Sequence, residues 1–157
     1  MRQCSASLVR HVAGRLSLST QSSVRANLAL LLSEQGDYRG SRVQYEHVLS
    51  LERDAPQSFG YQNTLTNKAN VYLKLGRHDD ALQIGEELLR NPSEDPTVVA
   101  AAQYLVARAL WATDGDRTRA HTLARDAEAV YASVDGFSVQ LSEVREWLES
   151  RPEPSPE

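Results

Sequence analysis

Residues 66–81 read Thr66-Asn67-Lys68-Ala69-Asn70-Val71-Tyr72-Leu73-Lys74-Leu75-Gly76-Arg77-His78-Asp79-Asp80-Ala81. A helix-period run stops at a glycine, and a second helix begins almost at once. Gly76 suits a left-handed residue that ends a helix without steric cost. Asp79 and Asp80 follow at a helix start, where carboxylates meet the positive end of the dipole. The same frame returns at Gly36, 40 residues earlier, and at Gly115, 39 residues later. Five residues after each glycine comes a small side chain: Ser41, Ala81, Ala120. Four residues before each comes a large apolar one: Leu32, Tyr72, Trp111. A glycine between two helical segments at this pitch marks an array of helical hairpins.

Working outward, the first unit places Val24, Leu28, Leu31, Leu32 and Gln35 on one face before Gly36. Asp37 then caps a return helix that carries Tyr38, Val43, Tyr45, Val48, Leu49 and Leu51. The second unit runs through Leu65, Ala69, Tyr72 and Leu75, and returns through Ala81, Leu82, Ile84, Leu88 and Leu89. Asp95 followed by Pro96 opens the third, with Asp as cap and Pro at the first helical position. Small residues after each glycine lie where two helices cross, so that the backbones approach closely. A last segment opens with Asp135-Gly136 and carries Val139, Leu141, Val144, Trp147 and Leu148 at helical spacing. It reads as a helix closing the open end of the array.

The expected fold is an all-α right-handed solenoid of three hairpins, with an N-terminal helix and a C-terminal capping helix. Residues 1–21 form that N-terminal helix or part of an upstream repeat. The repeats occupy about 22–56, 57–95 and 96–133, the cap 134–150 and a disordered tail 151–157. In the first 23 residues, arginine and serine without acids also fit a targeting peptide, against an apolar stripe of Leu8, Val12 and Leu16 that fits a packed helix.

Composition narrows the function classes. The net charge is −4, and residues 1–33 contain no acid while the remainder carries 13 basic and 21 acidic residues. Phosphate binding needs a concentrated basic face, so nucleic acid is not the expected partner. A basic start and acidic finish favour head-to-tail self-association or merely solvated faces. No apolar run approaches the roughly 18 residues of a membrane span. The single cysteine, Cys4, forms no internal disulfide and fits a reducing, cytoplasmic setting. His11, His47, His78 and His121 never fall four residues from another ligand, so no metal site is written. No nucleophile elbow surrounds any serine, and neither an enzyme nor a cofactor is expected.

The frame resembles the tetratricopeptide repeat, in the longer form found in kinesin light chains and many bacterial regulators. Residues 66–81 carry the resemblance best. Ala26-Asn27-Leu28-Ala29 with Gln35-Gly36-Asp37-Tyr38 repeats it, as does Ala107-Arg108-Ala109-Leu110-Trp111 with Gly115-Asp116-Arg117-Thr118-Arg119-Ala120. It spans about residues 22–133. Lys68 stands where the family has Leu, Arg108 where it has Gly or Ala, and Gly85 where it has a large aromatic. Together these departures are expected to loosen hairpin two and leave room for a side chain from a neighbour. Trp111 to Tyr131, with Val144-Arg145-Glu146-Trp147-Leu148, is also similar to the tails of bacterial serine/threonine kinases. Fifteen arginines against two lysines fit a GC-rich bacterial genome.

What the resemblance implies is a groove lined by the first helix of each unit, gripping a peptide or partner protein. Asn27 and Asn67 then occupy equivalent positions, with Asn70 one turn beyond Asn67 and Asn63, Thr66 and Lys74 on or near that face. An asparagine amide both donates to and accepts from a peptide backbone. On the third unit the same face is expected to be an apolar wall of Ala102, Leu105, Val106, Ala109 and Ala112, which suits an apolar or helical ligand. The alternative function is a regulatory sensor that binds a small peptide or signal and controls an effector on another chain.

Overall fold

Short turns force consecutive helices to pack side by side, and the computed structural model, which describes residues 17–151, shows that arrangement. Seven helices and no strand are found among the described residues. They are α1 (Leu18–Glu34), α2 (Tyr38–Glu52), α3 (Phe59–Lys74), α4 (His78–Arg90), α5 (Pro96–Ala112), α6 (Arg117–Ser133) and α7 (Ser138–Glu149). Each packs on its neighbours in chain order, and α3 also reaches α5. Three hairpins, α1/α2, α3/α4 and α5/α6, stack into a helical solenoid that α7 closes.

Side-chain caps fix most helix starts. Asp37, Asp95 and Asp116 accept hydrogen bonds from the backbone amides of Gly40, Thr97 and Arg119. Ser17 does the same for Thr20, so α1 begins at Leu18 and runs unbroken through residues 18–21. The expected break between an N-terminal helix and the first repeat therefore falls inside α1. Residues 1–16, with Cys4, His11 and the Leu8, Val12, Leu16 stripe, lie outside the described residues, as does the tail beyond Arg151. Arg151 itself is packed, with Nη1 donating to the Trp147 carbonyl at 3.3 Å.

The first two turns are alike. Gly36 and Gly76 are left-handed, with φ of 79° and 73°. Behind them the Asp37 amide donates to the Leu32 carbonyl and the Arg77 amide to that of Tyr72, at 2.8 and 2.9 Å. In the third turn the matching bond runs from the Gly115 amide to Leu110, at 2.8 Å. The left-handed residue is Asp114, with φ 51°, and Asp116 caps α6 only after one additional residue. Asp114, not Gly115, is thus the counterpart of Gly76. The counterpart of Tyr72 is Leu110, not Trp111, and both are 7% exposed.

The core grows toward the C-terminus. Between α1, α2 and α3 it consists of Ala29, Tyr45 and Val71. At the other end Val106, Leu110, Tyr131, Val144 and Trp147 join a row of alanines from α5 and α6. Ser41, Ala81 and Ala120 are fully buried at the helix crossings, as their size requires. The expected inner face of α1 is not the buried one. Ser22 and Ala29 turn inward, while Val24 and Leu31 are 46% and 54% exposed. Small residues let α1 approach α2, and no preceding helix covers the larger ones among the described residues. Gly85 leaves the room its sequence position suggests, and Val106 of α5 fills it. A Cβ on Gly85 would stand 2.5 Å from Val106 Cγ2.

Candidate functional site

Asn63, Thr66, Asn67, Asn70 and Lys74 fall at helical spacing along α3 and line one side of a groove of about 940 Å³. Asn27 is exposed on α1 and does not line it. The facing side is formed by Thr97, Val98, Ala101, Tyr104 and Arg108 of α5. Tyr131, Phe137 and, from α7, Glu143, Glu146 and Trp147 also line it, as do the apolar Leu30 and Phe59.

The apolar wall expected from α5 is therefore a correction. Ala102, Leu105, Val106 and Ala109 are buried against neighbouring helices at 0–2% exposure, and Ala112 does not line the groove. Aligning Gly115 with Gly76 slips α5 by one residue, which rotates a helix by about 100°. The left-handed residues instead relate Ala107 to Ala69, both fully buried, and Arg108 to Asn70. Arg108 is thus no departure at a small-residue position. It is a groove residue that the slip concealed. The signal that betrays the register is Asp114-Gly115, since Asp tolerates the left-handed region better than most residues.

Individual side chains differ in what they have free. The side-chain amides of Asn63 and Asn67 make no hydrogen bond with any described residue. The Thr66 hydroxyl is buried and donates to the Gln62 carbonyl at 3.0 Å. Asn70 Oδ1 accepts from Arg108 Nη2. The Arg108 guanidinium also lies on the Tyr104 ring, 4.5 Å from its centroid. Its Nε is buried without a partner. Burial pulls the Arg108 guanidinium below the usual arginine value, although arginine stays cationic in proteins.

Aromatic side chains brace this end of the groove. Tyr131 and Phe137 stack at 5.4 Å, and Tyr104 meets Trp147 edge-on at 6.2 Å. Burial pushes the Tyr131 hydroxyl up to about 12 and raises that of Tyr104, so both remain neutral donors at physiological pH. The Tyr104 hydroxyl donates to the Glu143 carbonyl at 3.2 Å, tying α5 to α7. Arg151 lies over Trp147, 4.9 Å from its ring centroid. The groove consequently mixes Lys74, Arg108 and Arg151 with Glu143 and Glu146 over an aromatic floor.

Elsewhere, His78 Nδ1 is buried without a hydrogen-bond partner among the described residues, and His121 packs against both Trp111 and Trp147 with ring centroids 5.7 and 5.9 Å away. Among the described residues no group of three or more His, Cys, Asp or Glu is placed to hold a metal ion. None of their helices is long and apolar enough to cross a membrane.

Residues 18–94, covering α1 to α4, match the tetratricopeptide repeat family. The match supports a protein of tetratricopeptide-repeat type, a class of helical scaffold that mediates protein–protein interaction. It stops before α5, the helix whose pitch differs. None of the curated proteins matches the chain.

Proposed function

We propose that this chain is a non-enzymatic docking module whose concave groove holds an extended segment of a partner protein. The observation that carries the reading is the pair Asn63 and Asn67, two side-chain amides with no hydrogen-bond partner among the described residues, on the groove face of α3. Each offers a donor and an acceptor in the geometry of a peptide bond, and so can substitute for the hydrogen bonds an extended backbone gives up on leaving water. Asn27 and Thr66 do not share this role: the first lies away from the groove and the second spends its proton within α3. Asn70 serves by orienting Arg108. Tyr104, Phe137 and Trp147 supply the apolar contact that amides alone lack.

The test is capture of partners by the wild-type chain and by an Asn63→Ala, Asn67→Ala double variant, followed by titration of the captured protein. Two hydrogen bonds of roughly 0.5–1.5 kcal/mol each predict about five- to a hundredfold weaker binding. The melting temperature should change little, because neither side-chain amide hydrogen-bonds to a described residue. Undiminished binding by the double variant rules out this groove as the docking face.

A further inference from the structure

Of the seven large apolar side chains exposed among the described residues, four belong to α1: Leu18, Val24, Leu30 and Leu31. Leu30 lines the groove, but Val24 and Leu31 do not. Each stands two residues beyond a small buried one, Ser22 or Ala29, and so lies about 200° round the helix from it. With the exposed Thr20 and Asn27 they form the outer side of α1, opposite its buried side.

The size of that side limits what can cover it. A helix of 17 residues presents a strip about 25 Å long and 10 Å wide. Each partner of a stable complex buries roughly 800 Å², so a second copy held by this strip alone does not offset the freedom lost on association. A segment already joined to α1 loses far less, and the chain before α1 supplies one. Ser17 caps α1 with an extended ψ of 155°, so the chain does not enter along the helix axis. Gly14 stands three residues earlier, a spacing that suits a helix stop and a short turn between antiparallel helices. Before Gly14, the side chains of Cys4, Leu8 and Val12 recur every four residues, as one apolar stripe. Residues 1–16 contain Arg2, Arg10 and Arg15 and no acid. The last turn of α1 has no basic residue and ends at Glu34. An antiparallel return brings the Arg2 end toward that acid and the negative end of the helix dipole.

We propose that residues 1–16 fold back along α1, lay their apolar stripe over its outer side, and close the end of the solenoid opposite α7. The inference is independent of what the groove binds.

The experiment follows the reaction of Cys4, the single cysteine of the chain, with an aromatic disulfide reagent. In the folded wild-type chain the thiol should react at least about tenfold more slowly than in urea, because labelling waits on local opening of the docked segment. Val24→Asp charges the outer side of α1 without touching its buried side, and should raise the rate close to that of the unfolded chain. Leu8→Asp with Val12→Asp should do the same from the segment's side, and decides the matter even where Val24→Asp does not fold. Val139→Asp, at an exposed position on α7, should leave the rate unchanged. A wild-type thiol that reacts as fast folded as unfolded overturns the docking, and so does protection that survives both sets of charges. Protection that rises with protein concentration, with a dimer in light scattering, gives the face to a second copy and overturns it too.

Discussion

Hairpins two and three are built from the same frame and diverge by a single residue in the turn. In hairpin two the left-handed Gly76 leads through Arg77 directly into α4. In hairpin three the left-handed Asp114 is followed by Gly115, and only then by the cap Asp116. The linker before α5 is shorter in compensation, so the return helices still superpose small residue on small residue. The difference teaches that pitch along a solenoid is a local property of each connection. A glycine can be conserved in appearance while the residue that does its geometric work has moved one place.

The largest expected effect strikes what hairpin three has and hairpin two lacks, its cap. Trp147 is 7% exposed and touches Tyr104, Trp111 and His121 across α5, α6 and α7. Trp147→Ala should cost about 3–5 kcal/mol, read as a lower urea midpoint. A loss under about 1 kcal/mol would mean that α5/α6 is stable without its cap.

Next comes the joint between the two hairpins. Gly85→Ala pushes a Cβ to 2.5 Å from Val106 Cγ2. Overpacking costs roughly 1–3 kcal/mol, while the better helix propensity of Ala returns about 1 kcal/mol. Net destabilisation of up to about 2 kcal/mol is expected, a drop of some 2–4 °C in melting temperature per kcal/mol. Val106→Ala in the same chain should relieve it, so that the double variant loses less than the two single losses combined. Strict additivity would show that the two sites do not touch.

The smallest effects compare the turns themselves. A Cβ on Gly76 would meet nothing within 4 Å, so Gly76→Ala is opposed by its φ alone, at about 1–2 kcal/mol. Asp114→Gly should gain up to about 1 kcal/mol by the same reasoning. Loss of the exposed Arg117 pair offsets part of that gain, since such pairs are worth about 0–1 kcal/mol. Calorimetry showing that Asp114→Gly destabilises by more than 1 kcal/mol would contradict the left-handed assignment.

Much of the fold was legible because its signals are local. Asp37, Asp95 and Pro96 announce helix starts by chemistry that acts within one turn, and Ser41, Ala81 and Ala120 announce crossings by size. The groove side of α3 was legible for the same reason: Asn63, Thr66, Asn67, Asn70 and Lys74 share one helix and need no alignment. The groove side of α5 was not, because it depends on how α5 is rotated against α3. That rotation is set by a connection whose length changed twice. The surroundings of Arg108 were beyond reach too, since the contacts with Asn70 and Tyr104 depend on how α5 sits against α3. Packing decided the inner face of α1, where Ser22 and Ala29 are buried while the larger Val24 and Leu31 stay exposed.

Trp111 and Trp147 are the two tryptophans of the chain, and they stand 5.6 Å apart with His121 between α6 and both rings. Intrinsic tryptophan fluorescence therefore reports on α5, α6 and α7 alone, while circular dichroism counts every helix equally. Stability in a solenoid is approximately a sum over units and their interfaces, so the two spectroscopies watch different parts of one equilibrium. Where their transitions coincide, the hairpins melt together. Where they separate, the gap measures how much stronger the aromatic end is than the alanine-and-tyrosine end, without altering a single residue.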